Sequence, residues 1–366
     1  MDKPHKKDNL HVVSLLQSLK RASKDLQINP ISSILNQNDT KSAIEALLEL
    51  ETKADAILTS VVSSSDPILL NLSELLTDLK SLSEKLQKSQ GRDLRSLFRR
   101  QIFKYKIFQI ACSIEAGIQS YIDREIVVNL VTTLIESRDE DERLKVLIVF
   151  GNRLSQGFDT DFQELVLRGR VFTVLEFVLC GGSSFSKRVR NQACLIILGL
   201  VKFNKDVFVG LVLMGPTIQS LISISSFCST QVLCSMIRFI GTPLVDEIEA
   251  NGEIPRIVKL LSSEEDAQVQ VAAMHCVLEM AVIARREVVE KMLRENLVKK
   301  MMVLQRSKMF GNCVARFAEQ VEVGEGMEKR EKRVLRAETL RRVREASVSD
   351  TEAAAVVAEV LWGSSY

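Results

Sequence analysis

Turn punctuation is scarce in this chain. Its 366 residues include only 16 glycines and 6 prolines, about half the combined share of an average protein. A β-sandwich or barrel needs Gly, Pro or Asn at each closely spaced turn, and a Rossmann or P-loop fold needs a Gly-rich phosphate loop. Neither pattern occurs, so helices are expected. Long apolar runs are missing too: the stretch Ala193 to Val201 is about nine residues long, where a membrane span needs about 18. The start, MDKPHKKDNLHVV, is polar and lacks the apolar core of a secretory signal. A soluble intracellular protein, cytoplasmic or nuclear, is the expectation. An excess of one charge is absent as well, with 49 basic against 47 acidic residues, which points away from nucleic acid as a partner.

Catalytic vocabulary is equally thin. Histidine occurs three times, as His5, His11 and His275, and no two share a local motif. HExxH, GxSxG, a P-loop and the zinc-deaminase signature are all missing. The seven cysteines, Cys112, Cys180, Cys194, Cys228, Cys234, Cys276 and Cys313, are scattered among apolar neighbours without a CxxC. They read as reduced core residues rather than a metal set. The acidic run Glu136 to Arg143 reads as a polar turn between helices. The chain is therefore expected to be no enzyme, with no cofactor, no metal and no small-molecule substrate.

What is present is helical periodicity. Residues 1–120 read as an N-terminal helical bundle. Asp66-Pro67 offers an N-cap and a first-turn proline, after which Ile68, Leu72, Leu75, Leu79, Leu82 and Leu86 form a 4-3-4-3-4 seam. The seam is shorter than a zipper requires and suits packing within a bundle, with dimerisation through it as the alternative. Companion stripes run through Leu10, Val13, Leu16 and Leu19, and through Ile44, Leu47, Leu48, Ile57, Leu58 and Val61. From Arg92 to Lys106 the sequence is strongly basic, with Leu94, Leu97, Phe98 and Ile102 supplying its other face. Such a helix is either a solvated face or a patch for anionic lipid or an acidic partner.

Beyond residue 121 a repeat emerges. In Asn251 to Ala281, an Asn-Gly turn precedes an apolar helix from Ile254 to Leu261. Ser262 to Glu265 has capping-box spacing, and Val269, Ala272, Ala273, Cys276, Val277, Met280 and Ala281 then form one broad stripe. Turn residues open equivalent units at Gly169, Gly215-Pro216 and Asn296, so that with Gly252 the successive turns are 46, 37 and 44 residues apart. With a unit beginning near Ile126, five repeats average about 42 residues, the period of HEAT and armadillo arrays.

The Asn251 to Ala281 stretch resembles an armadillo repeat, whose pattern runs G-x-I-P-x-L-V-x-L-L-x-S, then a polar turn and an Ala-rich third helix. Segments from about Phe108 onward, among them FNKDVFVGLVLMGP, DEIEANGEIPRI, VARFAEQVEVGEG and VAEVLWGSS, are similar to plant armadillo-repeat proteins related to the U-box ligases. No U-box is expected, since a Cys-Pro pair and paired CxxC are lacking. The resemblance implies an all-α chain: the bundle over 1–120, an armadillo-type right-handed α-solenoid over 121–324, and basic capping helices over 325–366. It implies a protein-protein scaffold or adaptor, with a partner protein in a concave groove formed by the third helices. Placing Ala273, Val277 and Met280 on the repeat's buried positions puts His275 and Glu279 in that groove. By the same register Leu195, Ser235 and Phe239 join them, and Arg153 more loosely. The Asn and Trp ladder of nuclear import receptors is missing from these positions, and Leu195 and Phe239 favour a partner bringing apolar side chains. Second readings are a membrane-surface role for residues 92–106 and an accessory role in ubiquitin ligation. At the C-terminal end, Lys329, Arg330, Lys332 and Arg333 fit an exposed helix better than a nuclear signal, and Ser347 follows Arg344 at a spacing some kinases prefer. Ser349 to Glu352 reads as the capping box of a last helix.

Overall fold

A computed structural model describes residues 66–88, 94–157, 159–262, 266–307 and 310–362, with Gln17, Lys20 and Thr52 besides. The stripes assigned to residues 10–19 and 44–61, His5, His11, and most of the Ser262 to Glu265 box lie outside the described residues. All regular elements among the described residues are helical, so the protein is all-α. Contacts divide the chain into two compact units, Met1–Val128 and Asn129–Tyr366.

The first unit contains α1 (Pro67–Lys88) and most of α2 (Leu94–Glu136). Asp66 caps α1 as its sequence suggests, accepting the Ile68 N–H at 3.0 Å. The buried row of α1 is Leu69, Leu72, Leu76 and Leu79, a register shifted from the seam read in the sequence; Ile68 and Leu75 are only half-buried. Leucine is so dense here that two overlapping stripes exist, and packing selects between them. α2 runs without interruption through residue 120, burying Ile107, Ala111, Ile114 and Ile118. Phe98 and Ile102, read in the sequence as part of the face opposite the basic residues, are exposed.

Asp66 also accepts a bidentate bond from Arg124 of α2, and that guanidinium holds its carboxyl below its ordinary value. A lowered acid contributes stability that is present above about pH 3.9 and lost as pH falls through the lowered value. Acid titration followed by circular dichroism should therefore show a transition below pH 4 that flattens in Asp66→Asn. An identical acid limb in the variant would show that the pair does not stabilise this unit.

The second unit continues with α3 (Glu140–Ser155), α4 (Thr160–Arg168), α5 (Val171–Cys180), α6 (Lys187–Phe203), α7 (Lys205–Met214), α8 (Thr217–Ile224), α9 (Phe227–Ile240), α10 (Thr242–Ala250), α11 (Ile254–Leu260), α12 (Ala267–Ile283), α13 (Arg286–Arg294), α14 (Leu297–Arg306), α15 (Cys313–Val323), α16 (Lys329–Ala346) and α17 (Asp350–Trp362). Short polar side chains start several of them. Asp159 accepts the Phe162 N–H at 2.7 Å, Ser186 that of Val189 and Asn204 that of Val207 at 3.3 Å, each satisfying a donor the helix leaves open. Left-handed residues set the entries to several others: Gly252 and Asn296 at two expected turns, but Arg170 rather than Gly169 at a third.

Packing is successive. α3 lies against α6, α6 against α9, α9 against α12, α12 against α15, and α15 against α17. Side-chain bonds link residues at a recurring separation. Thr217 donates to Glu176 at 2.6 Å, Asn204 to Gln163 at 2.7 Å, and Arg285 to Asp246 at 2.7 Å; Lys300 reaches the Val258 carbonyl at 3.3 Å. These pairs are 41, 41, 39 and 42 residues apart. Burial holds the Glu176 carboxyl above its ordinary value despite the Thr217 bond.

Four of the eight basic residues of α16 have partners. Lys332 donates to the Glu322 carbonyl at 2.8 Å, Arg336 to that of Val360 at 3.0 Å, and Arg342 to that of Leu293 at 2.7 Å. Glu338 accepts from Arg341 and Arg342, which hold its pKa down to about 2. α17 buries Val356 and Val360; Ser349 accepts the Glu352 N–H at 3.2 Å, and the Glu352 carboxylate takes that of Val348 at 2.8 Å.

Candidate functional site

Helices α3, α6, α9 and α12 present one run of outward-facing positions. α6, α9 and α12 are each buried on two sides because each has a neighbour in the row on both, and only a narrow strip remains; α3 packs in this row against α6 alone. On α6, Ala193, Cys194, Ile196, Ile197 and Leu198 are all buried while Leu195 is 47% exposed. On α9, Cys234, Met236 and Ile237 are buried and Phe239 is 37% exposed. On α12, Met274, Cys276, Val277 and Leu278 are buried, leaving His275 exposed and Glu279 half-buried.

The six residues singled out by sequence fare differently. Leu195, Phe239 and His275 are at the surface. Ser235 is half-buried, and its hydroxyl donates back to the Gln231 carbonyl at 2.9 Å. Glu279 is not a free carboxylate: Arg238 of α9 donates to it through Nε at 3.0 Å and through a second nitrogen. Arg153 is buried, with its guanidinium 4.4 Å from the centre of the Phe162 ring and 3.5 Å from Asp159, and it donates to the Gly157 carbonyl. It therefore ties α3 to the loop before α4 and offers no contact to a partner.

Sequence reading missed Arg238 and Lys205. Lys205 Nζ lies 5.5 Å from the centre of the Phe239 ring and donates to the Phe239 carbonyl at 3.1 Å. The signal for the first was available, since Arg238 and Glu279 have opposite charges one repeat length apart. Behind the strip the buried Cys276 thiol donates to the Thr230 carbonyl at 3.4 Å. The neighbouring Cys234 thiol together with burial raises the Cys276 pKa, and Cys276 in turn lowers that of Cys234. Cys194 and Cys313 are likewise pushed up by burial, whereas Cys180 is exposed and not a core residue.

The strip opens into a cleft of about 410 Å³ between α3 and α6. Ile148, Leu195 and Phe203 give it apolar walls, and Asn152 and Gln192 bring two amides to it. Its floor is low because Gly151 and Gly199 carry no side chain; a Cβ at Gly199 would stand 2.7 Å from a Leu154 methyl. Apolar walls beside amides can bury one aliphatic or aromatic side chain while pairing with the peptide groups around it.

No protein-family model and no curated protein matches the chain. Function must be argued from the surface itself. Among the described residues no group of three or more His, Cys, Asp or Glu side chains converges on a point where a metal ion could sit. No single described helix is long and apolar enough to cross a membrane.

Proposed function

We propose that the second unit is an armadillo-type α-solenoid serving as a protein-binding module, and that it holds an extended segment of a partner along the strip on α3, α6, α9 and α12. The successive packing of these helices and the side-chain bonds recurring at 39 to 42 residues support the solenoid reading. The observation that carries the binding role is the strip itself: Leu195 and Phe239 stay exposed on neighbouring helices whose other exposed large apolar residues are only the terminal Phe203 and Phe227, and Leu195 and Phe203 border a cleft bearing two amides. A peptide lying across the helices would drop an apolar side chain into that cleft and pair its backbone with Asn152 and Gln192. Arg238 and Lys205 are already bound to Glu279 and to the Phe239 carbonyl, so the recognition is mainly apolar.

Selection of random peptides about 12 residues long tests this, because an extended chain covers ~3.4 Å per residue and packed helices lie ~8–10 Å apart. Enriched peptides should carry spaced apolar residues and should bind Leu195→Glu and Phe239→Glu more than about tenfold more weakly, as buried anchors do. Peptides that bind both variants as they bind the parent would remove the strip from consideration.

A further inference from the structure

The first unit carries a surface that a protein-binding role for the second unit leaves unexplained. Between Leu94 and Ile114 the sequence has five basic residues, Arg95, Arg99, Arg100, Lys104 and Lys106, and no acid. All of it lies in α2. The packing side of this stretch is set by Ile107, Ala111 and Ile114, which are 5%, 0% and 0% exposed. Phe98, Ile102 and Tyr105 are 74%, 45% and 62% exposed.

At 100° per residue these three fall within about 60° of one another, on the side of the helix opposite Ile107. Arg95, Arg99 and Lys106, all exposed, follow the stripe along one edge. Three large apolar side chains displayed together on solvent-facing helix are uncommon in a protein that meets only water. Two of them are aromatic, and one ends in a hydroxyl. Rings of this kind settle where hydrocarbon gives way to polar headgroups.

We propose that the N-terminal part of α2 is a membrane-surface docking site that lies flat on an anionic phospholipid leaflet. Phe98 and Ile102 enter the boundary between acyl chains and headgroups, the Tyr105 ring follows with its hydroxyl at headgroup level, and Arg95, Arg99 and Lys106 pair with lipid phosphates. Charge complementarity selects an anionic surface, and the apolar stripe selects a lipid one. A nucleic acid or an acidic protein would engage the basic edge but leave Phe98 and Tyr105 without an apolar counterpart. A fluid interface needs no matching groove; it accepts an amphipathic helix lying in its plane. The stripe is about 10 Å long at 1.5 Å per residue, so all three side chains reach the same depth only in that orientation.

Co-sedimentation of the full chain with vesicles tests the proposal. One set is phosphatidylcholine alone and the other contains about 30% phosphatidylserine, each at low and high salt, since adsorption to a charged leaflet is screened by added salt. The chain should pellet with the anionic vesicles, fail to pellet with the neutral ones, and be released at high salt. Phe98→Ser with Tyr105→Ser should weaken binding more than about tenfold even at low salt, because the apolar insertion is lost. Both side chains are exposed, so circular dichroism should be unchanged. Arg95→Glu with Arg99→Glu is the second variant and should give a comparable loss, about fivefold for each charge removed. Failure to pellet with anionic vesicles overturns the proposal, as does equal binding to neutral ones. Full binding by the Phe98 and Tyr105 variant overturns it too, since the attraction would then be charge alone. Retention on single-stranded DNA or polyglutamate with no retention on vesicles would assign the face to another polyanion and equally reject it.

Discussion

Phe162→Ala is expected to destabilise the second unit by about 3–5 kcal/mol, the range for emptying a buried aromatic site. The ring is fully buried and lies 5.7 Å from that of Phe150. Its other side carries the Arg153 guanidinium, so truncation removes two partners together. The volume vacated leaves Phe150 facing a void and takes the ring from beside the buried guanidinium of Arg153, which keeps Asp159 and the Gly157 carbonyl. Phe162→Leu keeps most of the volume and should cost under about 1.5 kcal/mol. Urea titration gives the overall loss, and hydrogen exchange in 140–168 shows where it falls. A loss below about 1 kcal/mol in Phe162→Ala would mean that neighbouring side chains collapse into the space, and that Phe162 does not organise the entry to α4.

The second large effect belongs to the connection between α15 and α16. A Cβ at Gly324 would stand 2.4 Å from the Val282 carbonyl oxygen, and one at Gly326 would stand 2.4 Å from that of Ala284. Both obstacles are backbone, so no rotamer change relieves them. Between the two glycines, Glu325 donates its N–H to the Val282 carbonyl at 3.1 Å. Alanine at either position forces the segment away from the end of α12 and breaks that bond, at an expected cost of about 2–3 kcal/mol. Gly210→Ala is the matched control: this glycine lies within α7 with nothing near its absent side chain, and alanine there should stabilise by about 0.5–1 kcal/mol. Thermal unfolding of the three variants side by side would rank them, and tolerance of alanine at 324 and 326 would refute the close approach.

These cases mark where the sequence was readable. The α12 stripe from Val269 to Ala281 is buried at every position that its spacing nominates, because 3.6-residue periodicity records the side a helix packs. Met274 and Leu278 are buried as well, which no single stripe foretells; they face a second neighbour, and only the successive stacking supplies it. The helical class was legible in the shortage of turn residues. The register of α1 was not, since a leucine-rich helix offers several equivalent faces and tertiary contacts choose among them. Of the candidate strip, the surface positions of Leu195, Phe239 and His275 agree with the register taken from the armadillo-repeat resemblance. The engagement of Glu279 with Arg238 and the burial of Arg153 depend on long side chains that reach across to another element, and periodicity carries no record of where such chains end. Phe98 and Ile102 were legible as the apolar face of a basic helix, but not their exposure; Ile107 and Ala111 set the packing side one half-turn away, and which of two apolar sides is covered depends on the neighbouring element.

The recurring bonds at 39 to 42 residues have a consequence for how the chain is made. At about 5–20 residues per second, a ribosome delivers the partner for each such residue within roughly 2–8 seconds. Arg238 therefore meets Glu279, and Asp246 meets Arg285, before α17 exists. The second unit can consolidate from its N-terminal end as it emerges. Helix α17, which buries Val356 and Val360, joins a stack whose earlier members have already had time to pair.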